Sequence, residues 1–99
     1  MFLENYSDII SQLCLQNKVK TLYAFGSVLT TNFTKNSDID LIVEIDSEEP
    51  FEYADNYFNL KFALQDALMR KIDLLESKSI RNHLVKENID RSKRLIYAQ

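Results

Sequence analysis

Phe25-Gly26-Ser27, ten residues, then Asp38-Ile39-Asp40-Leu41-Ile42-Val43-Glu44-Ile45 is the stretch on which the fold reading turns. Gly26 is the only glycine in the 99 residues. A chain that uses glycine once is expected to place it where a Cβ is not tolerated, at a sharp bend or a close approach to a ligand. Before it, Val19 to Phe25 is short, β-branched and aromatic, and reads as a strand. After the polar segment 28–37, expected to form a short helical turn or loop, Asp38 to Ile45 reads as a second strand. Residues i and i+2 of a strand share a face, so Asp38 and Asp40 point the same way with Cα atoms about 7 Å apart, and Ile39 points the other way.

The flanking sequence supplies helices and further strands. Phe2, Tyr6, Ile9, Ile10, Leu13 and Cys14 recur at helical spacing and predict an amphipathic helix over 2–16. Beyond Pro50, which suits the first turn of a helix, a second apolar periodicity runs from Phe51 through Tyr57, Leu64 and Met69. Lys71 to Leu75 is a third strand candidate. Ser77 or Ser79 is a possible cap for a helix reaching about Asn88, and Arg94 to Tyr97 a last strand. The order predicts an α/β (α+β) fold, a small mixed sheet covered by helices, in one domain spanning 1–99.

Composition narrows the function classes. The chain is 45% hydrophobic and 27% charged, with net charge −3, as expected of a globular domain. Residues 1–69 carry 4 basic and 11 acidic side chains, and residues 70–99 carry 8 and 4. An acidic body argues against direct nucleic-acid binding, which depends on neutralising phosphates; the basic last third suits an anionic ligand, an acidic partner or plain solvation. No apolar run approaches the roughly 20 residues of a membrane span, and no secretory signal is visible, so a cytoplasmic, non-membrane protein is expected. The single Cys14 permits no internal disulfide and reads as a small buried apolar residue.

The chemistry lies in the acids. Two carboxylates about 5 Å apart repel by roughly 3 kcal/mol at an effective dielectric near 20. A hard divalent cation reverses that repulsion, and such oxygen donors suit Mg²⁺ or Mn²⁺. Two ions need a third carboxylate on a neighbouring strand. Asp73, between Ile72 and Leu74, is the acid embedded in the third strand. The competing reading makes Asp38 a turn residue beside Ser37. His83 reads as solvated, Glu44 as a surface acid at a strand end, and Tyr53, Tyr57 and Phe58 as packing residues.

Gly26-Ser27, ten residues, Asp38-Ile39-Asp40-Leu41-Ile42-Val43 resembles the signature of the minimal nucleotidyltransferases, small members of the DNA polymerase β-like superfamily. Arg70 to Leu75 resembles the family's third-carboxylate strand, and 80–97 its C-terminal tail. The resemblance implies that Asp38 and Asp40 hold two Mg²⁺ (or Mn²⁺) ions. Asp73 would bind the ion carrying the acceptor hydroxyl and help take its proton. Ser27 would bond the outer phosphates, and Gly26 would let the backbone approach them. It implies transfer of a nucleotide monophosphate, AMP from ATP, to a hydroxyl. Because the chain has no room for an acceptor domain, that hydroxyl is expected on a separate protein. By resemblance this is a HEPN-domain toxin, modified on tyrosine in some family members, with the chain as its antitoxin, in a homo- or hetero-oligomer.

One departure stands out. Many relatives carry an arginine just after Gly-Ser, whereas Val28-Leu29-Thr30-Thr31 has no basic residue. Lys35, Arg91, Lys93 and Arg94 are the possible substitutes. The rival expectation is a non-catalytic module that neutralises its partner by contact alone. A sugar transferase using Asp-x-Asp is a third, disfavoured because those enzymes need a far larger nucleotide-binding domain.

Overall fold

The computed structural model describes residues 1–99. Four strands, β1 (Val19–Phe25), β2 (Ile39–Ile45), β3 (Ile72–Glu76) and β4 (Arg94–Ala98), form one sheet in the order β3-β2-β1-β4. β1 runs antiparallel to both β2 and β4, and β2 runs parallel to β3. The sheet is mixed, as expected. A parallel pair needs a long crossover, and here it is the helix α2 (Pro50–Leu68). The other helices are α1 (Ser7–Gln16) and α3 (His83–Ser92). None is long and apolar enough to cross a membrane.

α2 starts where Pro50 supplies a preset φ and the Glu49 carboxylate accepts from the backbone N–H groups of Phe51 (3.1 Å) and Glu52 (2.6 Å). Leu60, Leu64 and Leu68 recur on one side of it and are buried, with Ile39, Leu41, Val43, Ile72 and Leu74 of β2 and β3 in the same core. Two tyrosines on that side reinforce the docking. The Tyr57 hydroxyl donates to the Leu74 carbonyl (2.5 Å) and the Tyr53 hydroxyl to the Glu76 carboxylate (3.1 Å). They are packing residues, as read from the sequence, and Phe58 faces solvent.

Both ends of the chain differ from expectation. Residues 2–16 are not one helix: Phe2–Tyr6 is a 3₁₀ turn, and Tyr6, at φ −120° and ψ 15°, breaks it from α1. The break lets Leu3 enter the core while Phe2 packs on Tyr6 and Phe33. At the other end, Ser77–Ser79 forms its own 3₁₀ turn, and neither serine caps a helix. Asn82 does, accepting from the N–H groups of Leu84 (2.9 Å) and Val85 (3.2 Å), so α3 starts and ends later than expected. Cys14 is fully buried, and burial pushes its thiol up to about 12, which leaves it inert.

Candidate functional site: an acidic sheet face behind a glycine bend

The site begins with strand parity. Leu41 and Val43 of β2 face the core, so Asp40 faces the other side, away from α2. β3 pairs with β2 in register, Asp40 against Asp73. In-register neighbours on adjacent strands lie about 4.8 Å apart and project to the same face, so the two carboxylates stand side by side on the face away from α2. Asp38 lies one residue before β2, which starts at Ile39 rather than Asp38, where the Ile39 N–H donates to the Lys71 carbonyl (3.0 Å).

Asp40 feels the charges of the other two acids. The Asp40 carboxyl is raised above its ordinary value of 3.8, first by desolvation, then by the negative charges of Asp73 and Asp38. The three side chains do not form a finished ion cage. Asp38 is exposed and its Oδ2 lies 3.8 Å from the Lys71 ammonium, so a cation bound among the acids competes with Lys71 for Asp38.

Gly26 closes the other side. β1 pairs Phe25 with Asp40, so the bend after β1 falls against that carboxylate. Gly26 has φ +75°, and a Cβ built there would stand 2.5 Å from Asp40 Oδ2. Both the left-handed backbone and the contact exclude a side chain. Gly26–Leu29 is a single 3₁₀ turn whose Val28 is buried, and the Ser27 carbonyl accepts from the Thr30 N–H and hydroxyl, both at 2.9 Å. Asp38, Asp40, Asp73 and Ser27 line none of the molecule's clefts. A cleft of about 390 Å³, lined by Glu44, Tyr53, Lys78 and Lys86 among others, lies instead at the far end of β2 from Asp40.

Arg70 is the residue that sequence reasoning undervalued. Its Nη1 donates to the carbonyls of Thr34 and Ser37, both at 3.0 Å, and its guanidinium stacks on the rings of Phe33 (4.6 Å) and Phe2 (4.8 Å). It ties the 30–38 loop, which ends at Asp38, to the start of β3, which carries Asp73. The only available signal was a basic residue directly before the β3 segment. Among the possible substitutes for the missing arginine, Lys93 lies over Tyr23 (4.2 Å), on the sheet face of Asp40. Arg94 reaches toward Glu4 (4.0 Å), away from the acids, and Lys35 and Arg91 are exposed. His83 is exposed at the start of α3, and Glu44 is an exposed acid whose Oε1 lies 3.4 Å from Lys20 Nζ.

Residues 7–99 match the family described as polymerase beta, nucleotidyltransferase. Two candidate protein adenylyltransferases of Methanocaldococcus jannaschii, MJ1379 and MJ0128, are 40% and 39% identical over 80 residues, covering 81% of this chain and 77% and 76% of theirs. Among solved structures, a minimal nucleotidyltransferase superposes with a TM-score of 0.72 at 22% identity, over 93% of this chain and 90% of that one. A toxin–antitoxin structure with AMP-PNP gives 0.70 at 23% identity, over 94% and 73%. A tri-AMPylated Shewanella oneidensis HEPN toxin in complex with its MNT antitoxin gives 0.64 at 22%, over 100% and 74%. The resemblance to minimal nucleotidyltransferases and the mixed-sheet fold are both borne out. The chain belongs to the polymerase β family of nucleotidyltransferases.

Proposed function

We propose that this nucleotidyltransferase transfers AMP from ATP to a hydroxyl on a partner protein, a HEPN-domain toxin, and thereby acts in the cytoplasm as its antitoxin. The observation that carries the reading is the in-register pair of Asp40 and Asp73, with Asp38 one residue ahead of β2 and a side-chain-free bend at Gly26. The names of the archaeal relatives and the complexes formed by the structural neighbours support the acceptor and the nucleotide.

The residues suit divalent cations. Asp38, Asp40 and Asp73 offer hard oxygen donors, and the Asp40 carboxyl is raised first by desolvation and then by the charges of Asp73 and Asp38. Asp38 and Asp40 would hold two Mg²⁺ or Mn²⁺ ions and Asp73 one of them. Bound there, such ions supply the charge that stabilises the attacking and leaving oxygens of an in-line displacement.

The chain's own groups do the rest. Gly26, lacking a Cβ, lets the Asp40 carboxylate stand against the bend, and the Ser27 hydroxyl donates to an outer phosphate. Asp73 accepts the proton of the acceptor hydroxyl as its oxygen bonds to the α-phosphorus. The bond from that phosphorus to the bridging oxygen breaks, and pyrophosphate leaves.

The test is incubation with ATP labelled at the α-phosphate, Mg²⁺ and the protein encoded by the neighbouring gene. Label should appear on that protein, and the Asp38→Ala, Asp40→Ala double variant should transfer none. Absence of transfer where ATP and metal both bind would overturn the reading. The stretch Val28 to Thr31, without an arginine, favours the rival module acting by contact alone. Full neutralisation of the toxin by the double variant would establish that rival.

A further inference from the structure

β2 outruns its parallel partner. The β2–β3 register ends with Val43 opposite Glu76, where the chain leaves β3 for the Ser77–Ser79 turn. Glu44 and Ile45 therefore have no strand residue beside them on that side. Ile39 turns its N–H toward β3, donating to the Lys71 carbonyl. The side to which a strand residue turns its N–H alternates, so Ile45, of the same parity, sends its own that way, past the end of the ladder. A backbone donor so placed calls for an acceptor.

The cleft of about 390 Å³ at this end of β2 has Ile45 in its lining. The carboxyl ends of parallel strands are where open α/β sheets take ligands. Val43, Ile45, Tyr53 and Ile80 supply an apolar surface, and Ser77, Lys78, Lys86 and a single acid, Glu44, the polar one. Glu44 is paired with Lys20 at 3.4 Å. The two lining ammoniums are loosely held. That of Lys78 rests 4.0 Å over the Tyr53 ring rather than on a carboxylate. That of Lys86 lies 3.6 Å from Asp90, which Lys93 holds more closely at 2.9 Å. Glu48 and Glu76 line an adjoining hollow that shares Tyr53 and Lys78 with the cleft, so they stand beyond that pair. An apolar hollow with a few donors gathered on it has the make-up of a small-ligand site, and an N–H, a hydroxyl and two ammoniums select an anionic head group.

We propose that this cleft binds an organic acid, a ligand with an apolar body and a terminal carboxylate. The body lies on the apolar lining, and the carboxylate accepts from the Ile45 N–H, the Ser77 hydroxyl and the ammoniums of Lys78 and Lys86. The site is independent of the three aspartates, which lie at the other end of β2 and β3.

Titration of the isotope-labelled full chain with hexanoate, followed by amide chemical shifts, tests this. Shifts should concentrate on Ile45, Ser77, Lys78 and Ile80, with a dissociation constant in the millimolar range expected of so small a ligand. Hexanol and hexylammonium should bind about tenfold more weakly. Lys78→Met and Lys86→Met, both on exposed side chains, should each weaken hexanoate about two- to fivefold. The Asp38→Ala, Asp40→Ala double variant should bind it like the parent, which separates this result from the transfer assay. An N-acetylated dileucine peptide with a free carboxylate identifies the source: tighter binding than hexanoate, lost in its amide, assigns the carboxylate to a protein chain end, and weaker binding assigns it to a free acid. Absence of shifts at the cleft, hexanol binding as well as hexanoate, or unchanged affinity in both lysine variants overturns the proposal.

Discussion

Gly26 meets two independent demands at one residue, a left-handed backbone and contact with Asp40. Gly26→Ala is expected to cost about 1–2 kcal/mol from the backbone alone and to displace the Asp40 carboxylate. Thermal melting should show the first effect and a Mn²⁺ titration a weakened affinity. Asp40 itself is destabilising when ionised. Its raised carboxyl means that its favourable contribution is complete below the ordinary value of 3.8 and is lost as pH rises through the higher folded value. Asp40→Asn should therefore melt above the parent at neutral pH, and the advantage should vanish in acid. Saturating Mg²⁺ should raise the melting temperature of the parent and leave that of Asp40→Asn unmoved, a contrast readable by differential scanning fluorimetry.

The loop 30–38 and the segment leading into β3 behave as one element because Arg70 joins them. Two hydrogen bonds from a charged donor and two aromatic faces make Arg70→Ala destabilising by about 2 kcal/mol. Arg70→Lys keeps the charge and loses the planar guanidinium that stacks on Phe33 and Phe2 while its Nη1 donates to both carbonyls. It should fold, yet bind Mn²⁺ about three- to tenfold more weakly, because Asp38 follows directly on the loop that Arg70 holds. Unchanged metal affinity in Arg70→Lys would reduce Arg70 to a folding residue. At the same scale, Lys71 opposes metal at Asp38 across an exposed pair. Lys71→Met is expected to tighten binding by about two- to fivefold, readable by the same titration.

For the whole molecule, the docking of α2 on the sheet is the principal packing event, since it also enforces the β2–β3 pairing that sets Asp40 beside Asp73. Leu64 is fully buried in that contact. Leu64→Ala should cost about 2–5 kcal/mol, out of a total of roughly 5–15 kcal/mol for a domain this size. Urea denaturation measures the loss, and activity per folded molecule should be preserved, because Leu64 sits on the far side of the sheet from the acids.

β1 and the start of α2 were legible in the sequence because each is set locally, by β-branched residues ending at a glycine and by a proline at a helix start. The face of Asp40 was legible for the same reason, since side-chain parity in a strand is a property of the backbone, whereas Asp38, one residue ahead of β2, falls outside that rule. The third acid was suspected from its apolar neighbours Ile72 and Leu74, and the β2–β3 register then put it opposite Asp40. Other features depend on contacts between residues far apart in the chain, which no local pattern encodes. Leu3 enters the core only if the helix breaks at Tyr6, and Arg70 finds the 30–38 loop only when β3 lies beside β2. The apolar periodicity of α2 marks Phe58, Phe62 and Leu64 alike as candidates for burial. Only the packed sheet, covering one side of that helix, leaves the phenylalanines in water and the leucine out of it.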